Sequence, residues 1–190
     1  MIRWLKSLFT TPRPETLPQL DMFRDHLNDL PEIRKVEGYT VRTYQPGDEL
    51  AWCNIMEGNV GNNWTEETCR QKLTEDSRFK AENLFFIVHN ETPIASVCAW
   101  QSPAQSADTG EVHMVGALAE HRGKGLGHLL NALVLHRLKE LGYKKSHLKT
   151  DDWRLPAIKT YLDAGFEPLN THESHPERWD KIFSELGIPT

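Results

Sequence analysis

The chain has few cysteines, no long apolar run and no surplus of basic charge, and each shortage removes a class of protein. Cys53, Cys69 and Cys98 are its only cysteines. They are odd in number, widely spaced and outside any CxxC pattern, so they read as reduced thiols of a cytoplasmic protein. No apolar run approaches the roughly 20 residues that cross a bilayer. Met1–Phe9 is short for a secretory signal, and Lys6 interrupts its apolar residues. A net charge of −5 and an isoelectric point near 6.0 argue against a general nucleic-acid partner, because neutralising phosphates needs a clustered basic surface. Basic residues gather only around Arg122–Lys124 and at Lys144–Lys145.

What is present is the composition of a globular domain, 38% hydrophobic and 26% charged over 190 residues. That length fills one core and leaves a modest appendage. Residues 1–36 read as an N-terminal helical appendage and 37–190 as the main domain. Ile2, Leu5, Leu8 and Phe9 fall at helical spacing, and Pro12 and Pro14 mark a break. Thr16–Gln19 has a capping-box pattern, and Leu20, Phe23, Leu27 and Leu30 continue a helical stripe that Pro31 ends. A helix of this kind can touch a membrane, but covering a core edge is the commoner use, and no membrane partner is expected.

Tyr39–Tyr44 alternates as a strand, and Pro46–Asp48 turns into a helix carrying Leu50, Ile55 and Met56. Thr65 is an N-cap candidate for another helix. The apolar runs Leu84–Val88 and Ile94–Trp100 flank His89–Pro93 and read as a hairpin. Val112, Met114, Gly116 and Leu118 alternate with Glu111, His113, Val115 and Ala117 as a strand does. The glycine-rich turn Arg122–Gly127 follows, and Leu126, Leu129, Leu130, Leu133, Leu138 and Leu141 draw a long helical stripe. A short strand, Ser146–Thr150, and a helix, Pro156–Ala164, stopped by Gly165, complete a β-loop-α-β-α unit.

Glycines at 123, 125 and 127 let the backbone approach a ligand closely. Between a strand and a long helix, such a turn offers its N–H groups and the positive helix end to an anion, and Arg122 and Lys124 add formal charge. It is not a Walker loop, because Lys124 is followed by Gly125. It is not a dinucleotide fingerprint, because His128 stands where that motif's last glycine belongs. A turn without a ligand is the plain alternative.

Arg122-Gly-Lys-Gly-Leu-Gly127 resembles the R/Q-x-x-G-x-G/A motif of the GCN5-related N-acetyltransferase (GNAT) superfamily. The preceding strand, the leucine-rich helix and the downstream Ala157, Tyr161 and Gly165-Phe166 fall in that superfamily's order, a likeness that covers about Tyr39 to Phe166. It implies an α/β fold: a mixed twisted sheet with helices on both faces, splayed between the strands that end near Leu118 and Thr150. It also implies acetyl-CoA as cosubstrate. The pantetheine arm is then expected at the backbone of Ala117, Leu118 and Ala119, and the pyrophosphate on Arg122, Gly123, Lys124, Gly125, Leu126 and Gly127.

The implied reaction is acylation of an amine, on a small molecule or peptide, by direct attack, since no cysteine sits in a nucleophile's setting. Tyr161 matches the tyrosine that protonates the CoA sulfur in many members. Glu111 stands at the spacing of the strand glutamate that histone acetyltransferases use as base, and His113, two residues on, shares its face. Where some bacterial members carry a glutamate on the next strand, this chain has Lys149. Arg154 stands where asparagine is commoner; it could bind a CoA phosphate or an acidic acceptor, or pair with Asp151 or Asp152. His172-Glu-Ser-His175 lacks the HExxH spacing and a third ligand, so no metal is expected. A homodimer is compatible with this reading. The rival is a non-catalytic acyl-CoA-binding regulatory domain.

Overall fold

The computed structural model describes residues 17–189. One seven-stranded sheet runs through it, from β1 (Leu20–Arg24), β2 (Thr40–Thr43), β3 (Leu84–His89) and β4 (Thr92–Trp100) to β5 (Thr109–Ala117), β6 (Lys145–Thr150) and β7 (Glu167–Leu169). Their order in space is β2-β3-β4-β5-β6-β1-β7. Every pairing is antiparallel except β5 with β6. The expected α/β class and mixed sheet are found.

Alternation along β4 separates two cores. Ala95, Val97 and Ala99 face a larger cluster with α3 (Leu126–Glu140), α4 (Leu155–Asp163) and α5 (His175–Leu186), which contributes Trp179 and Ile182. Cys98 and Trp100 face a smaller cluster with α1 (Glu49–Met56) and α2 (Glu66–Cys69), built around Trp52, Ile55 and Met56. Helices therefore cover both faces. The hairpin falls between β3 and β4, where Asn90 and Glu91 both take positive φ, +47° and +66°, as a two-residue turn matched to strand twist requires.

One reading is corrected. The helix expected over Leu20–Leu30 is absent; Leu20–Arg24 is β1, hydrogen-bonded to β6 on one side and β7 on the other. Leu20 and Met22 are fully buried, and Asp21 between them turns to the opposite face. Five residues fit either period, and pairing with two strands far along the chain decides for the sheet. Arg24 is buried too and donates to the carbonyls of Ala164 and His26. The helix expected at residues 2–9 and the Thr16 cap lie outside the described residues.

Candidate active site

The feature that makes a site is an opening in the sheet. β5 and β6 pair only at Thr109–Lys145, Gly110–Ser146 and Glu111–His147. Beyond Glu111 both strands continue without meeting. The cause lies on the other edge of β5, where Met114 and Val115 together oppose the single residue Val97. This is a β-bulge, with Met114 at φ +53°, and it bends its strand and increases the local twist. Two glycines in β5 then let helices press it from opposite faces. A Cβ on Gly110 would lie 2.5 Å from Leu138 of α3, and one on Gly116 would lie 2.9 Å from Met56 of α1.

Past the bulge, Leu118 N–H bonds to Ile94, so Ala117 turns its own peptide groups away from β4 and into the opening. The Val115 carbonyl accepts from Arg154 Nη2 at 2.8 Å. The Ala117 carbonyl accepts from Asn59 Nδ2 at 3.0 Å, and Asn59 Oδ1 in turn accepts from Arg122 Nη2 at 3.0 Å. Asn59 thereby ties the loop after α1 to the open edge and to the glycine turn. Nothing in its Gly- and Asn-rich surroundings signalled that role.

The glycine turn supplies the far end of the opening. Gly123 and Gly125 sit at φ +75° and +79°, and a Cβ on either would meet no atom within 4 Å. Their surface is therefore bare backbone facing open space. Gly125 starts α3 with no side-chain cap, so the first N–H groups of a 15-residue helix are left for another partner. Leu126 buries its side chain in the core. Gly127 serves packing, since its Cβ would lie 3.2 Å from Thr160 Cγ2 on α4. Lys124 reaches back over the Tyr39 ring at 5.8 Å. Beside the turn, Pro31, Arg34 and Val36 wall a cavity of about 530 Å³ together with Gly125 and His128.

At the near end, where β5 and β6 part, Glu111 and His113 share a face and touch, with His113 Nδ1 2.8 Å from Glu111 Oε1. A carboxylate only accepts, so Nδ1 carries the hydrogen of this bond, which leaves Nε2 for another partner. The imidazole stacks on Trp100 with centroids 5.4 Å apart. Burial pushes the Glu111 carboxyl up, but the His113 hydrogen bond, His113 itself, His147 and Lys149 together hold it below the usual range. His147, the β6 neighbour of Glu111, is buried, and its Nε2 lies 2.7 Å from Asp21 Oδ1 on β1. Asp21 also accepts from the Thr171 hydroxyl. Sequence reasoning missed this pair, because one partner fell in the segment read as an appendage.

Tyr161 lies on α4, 2% exposed, with its ring edge-on to Phe166 at 6.2 Å. Burial pushes its phenol above the ordinary value, and the neighbouring Arg154 guanidinium offsets part of that. Arg154 thus stands in the opening between Val115 and Tyr161. His172 and His175 are engaged locally, with Ser174 and with the Leu169 carbonyl.

A mixed sheet parted between two parallel strands, with a bare-backbone turn at a helix start, is the architecture that the GNAT likeness implies. Residues 48–166 match the acetyltransferase (GNAT) family, and the chain belongs to it. It is 31% identical to the mycothiol acetyltransferase of Streptomyces griseus over 151 residues, 76% of this chain and 47% of that protein. The mycothiol acetyltransferase of Thermomonospora curvata is also 31% identical, over 72% of this chain and 47% of its own length. The chain spans about half the length of these curated relatives. Among solved structures, a GCN5-related N-acetyltransferase from Sphaerobacter thermophilus superposes with a TM-score of 0.61 at 22% identity, covering 80% of this chain and 50% of that one. At that identity the likeness shows the fold. Among the described residues no helix is long and apolar enough to cross a membrane.

Proposed function

We propose that the protein transfers an acetyl group from acetyl-CoA to a primary amine, on a small molecule or peptide, by direct attack. The observation that carries this reading is the opening between β5 and β6, which joins an uncapped helix start to the Glu111–His113 pair. The residues fit the cosubstrate. Gly123 and Gly125 present N–H groups with no Cβ in the way, as a pyrophosphate requires. The open edge of β5 at Ala117 suits the amides of a pantetheine arm. The cavity beside Pro31 and Arg34 has room for the nucleotide end.

In this reading the proton acceptor is His113 rather than Glu111. A carboxylate held below its usual range is a weak base near neutrality, whereas His113 in its neutral form, with Nδ1 bonded to Glu111, offers Nε2 to the proton of an ammonium group. Glu111 fixes the tautomer and orientation of the ring. The deprotonated nitrogen forms the new bond to the thioester carbonyl carbon as the carbon–sulfur bond breaks. Tyr161, kept protonated by burial, hands its proton to the departing sulfur, and the second proton, which the new amide nitrogen sheds, returns the phenol to its protonated form through solvent. Release of free CoA over a panel of amines tests the assignment. His113→Gln is expected to lower kcat by about 100- to 10,000-fold, with acetyl-CoA binding intact. Binding of acetyl-CoA without CoA release on any amine would favour the non-catalytic acyl-CoA-binding alternative.

A further inference from the structure

Arg154 brings a full positive charge into the β5–β6 opening, and among the described residues no carboxylate lies within 4.0 Å of it. The two aspartates beside it in sequence are committed elsewhere. Asp152 is held by Arg178 from α5 in a two-point fork, Nε to Oδ1 at 2.8 Å and Nη2 to Oδ2. Asp151 receives the Gln19 amide at 3.2 and 3.3 Å. The Arg154 side chain instead leaves its own loop, crosses the opening and gives Nη2 to the Val115 carbonyl. A carbonyl satisfies one of five N–H donors and none of the charge. The guanidinium is half-buried against Tyr161, and exposed Trp153 lies 6.0 Å from it.

We propose that Arg154 is a carboxylate-recognition residue: the substrate group that enters the opening beside Val115 carries a carboxylate, either on the acyl chain of the thioester or next to the acceptor amine. The inference rests on the acyl-transfer reading of the site and adds the substrate class to it. Position along β5 argues for a carboxylate rather than a CoA phosphate. Val115 lies between the Glu111–His113 pair and Ala117, on the reacting side, whereas the phosphates have their own donors at the glycine turn. Shape argues the same way, because the planar fork of a guanidinium matches a carboxylate with two parallel hydrogen bonds. A neutral substrate closing over this point would cover a charge without answering it, which is unfavourable; a carboxylate answers it.

The test compares matched substrates that differ by one carboxylate, on wild-type protein, Arg154→Gln and Arg154→Lys. Glutamine removes the charge and keeps a polar amide on a side chain two bonds shorter, and any general loss from the missing tie to Val115 falls on both members of a pair alike. In the donor arm, calorimetric binding and CoA release are measured with succinyl-CoA against acetyl-CoA. In the acceptor arm, CoA release from acetyl-CoA is measured with free L-amino acids against their amides. One arm is expected to favour the carboxylate member by about tenfold to a hundredfold, a typical gain for a hydrogen bond to a charged group. The preference should vanish in Arg154→Gln and survive in part in Arg154→Lys. A merely structural Arg154 would lower both members of a pair equally. No preference in either arm, or one that persists in Arg154→Gln, overturns the proposal. If acetyl-CoA binds and no amine releases CoA, the acyl-transfer reading fails by itself. The carboxylate proposal then stands or falls on the succinyl-CoA to acetyl-CoA binding ratio.

Discussion

The two ends of the β5–β6 opening are built on opposite principles. At the glycine turn, Gly123 and Gly125 present backbone to open space, and the partners are N–H groups fixed by a local stretch of six residues. At the parting of the strands, half-buried Glu111 and His113 and buried His147 and Asp21 form a cluster of side chains drawn from three strands. A backbone site binds whatever carries the right anion, because any sequence can supply N–H groups once the turn is set. A side-chain site sets protonation and therefore chemistry. The first end suits a cosubstrate shared by many proteins, and the second is where one protein differs from another.

The sharpest way to break that comparison is to fill the turn. Gly125→Val places a β-branched residue at φ +79° and a side chain in the space left for a ligand. Thermal melting should show the apo protein weakened by about 1–2 kcal/mol and the stabilisation by saturating acetyl-CoA, about 2.7 kcal/mol at a hundredfold excess over Kd, abolished. Gly127→Ala is the control within the same motif. Its Cβ meets Thr160 rather than solvent, so acetyl-CoA binding should persist while stability changes. Adding Thr160→Ser, which removes the opposing methyl and keeps the hydroxyl, should recover that stability. An acetyl-CoA shift that survives in Gly125→Val would remove the turn from the cosubstrate site.

A smaller effect is expected where the two ends meet. Tyr161 lies beside Arg154 in the opening and belongs to the core as well. Tyr161→Phe keeps the packing and removes only the hydroxyl. Turnover should fall by about ten- to a thousandfold with little change in acetyl-CoA affinity, as for loss of an acid that acts only on the leaving group. Unchanged turnover would leave Tyr161 as a packing residue whose hydroxyl is incidental.

How far each end could be read from sequence follows from how each is built. The turn, its strand and its leucine-rich helix are contiguous, so glycine spacing and apolar periodicity displayed them directly. The cluster is not contiguous: Asp21 and His147 lie 126 positions apart. Their meeting depends on β1 lying between β6 and β7, and Leu20–Arg24 carries too few residues to prefer period two over the helical stripe. The opening itself was expected only through the family likeness. Its physical cause, the bulge at Met114, falls on a residue other than glycine, so no local signal marked the positive φ. Arg154 was visible as a charge, but its freedom from Asp151 and Asp152 depends on Gln19 and Arg178, which only the fold brings near.

The gentlest test asks whether the side-chain end is electrostatically coupled as its geometry implies. Glu111 is held below the usual carboxylate range against the effect of its own burial, so the fold stabilises its ionised form. A group whose pKa is lower in the folded than in the unfolded chain adds stability that is complete above the unfolded value, 4.5 here. That contribution disappears as pH falls through the lower, folded value. The groups that face Glu111 are His113 on its own strand and His147 and Lys149 on β6, with Asp21 of β1 behind His147, and Arg78, paired with Asp76, from the segment before β3. Glu111→Gln keeps the size and removes the ionisation. Urea midpoints for wild type and variant should therefore differ from pH 7.5 down to about 5, wild type being the more stable. The gap should close below pH 4.5 as the wild-type carboxyl takes up its proton. His113→Gln, which removes the nearest partner, should narrow the gap at neutral pH without shifting the acetyl-CoA melting response at the glycine turn. A variant gap that is flat across the whole range would mean that Glu111 is not held by its neighbours, and that the Glu111–His113 contact fixes the ring without any electrostatic coupling.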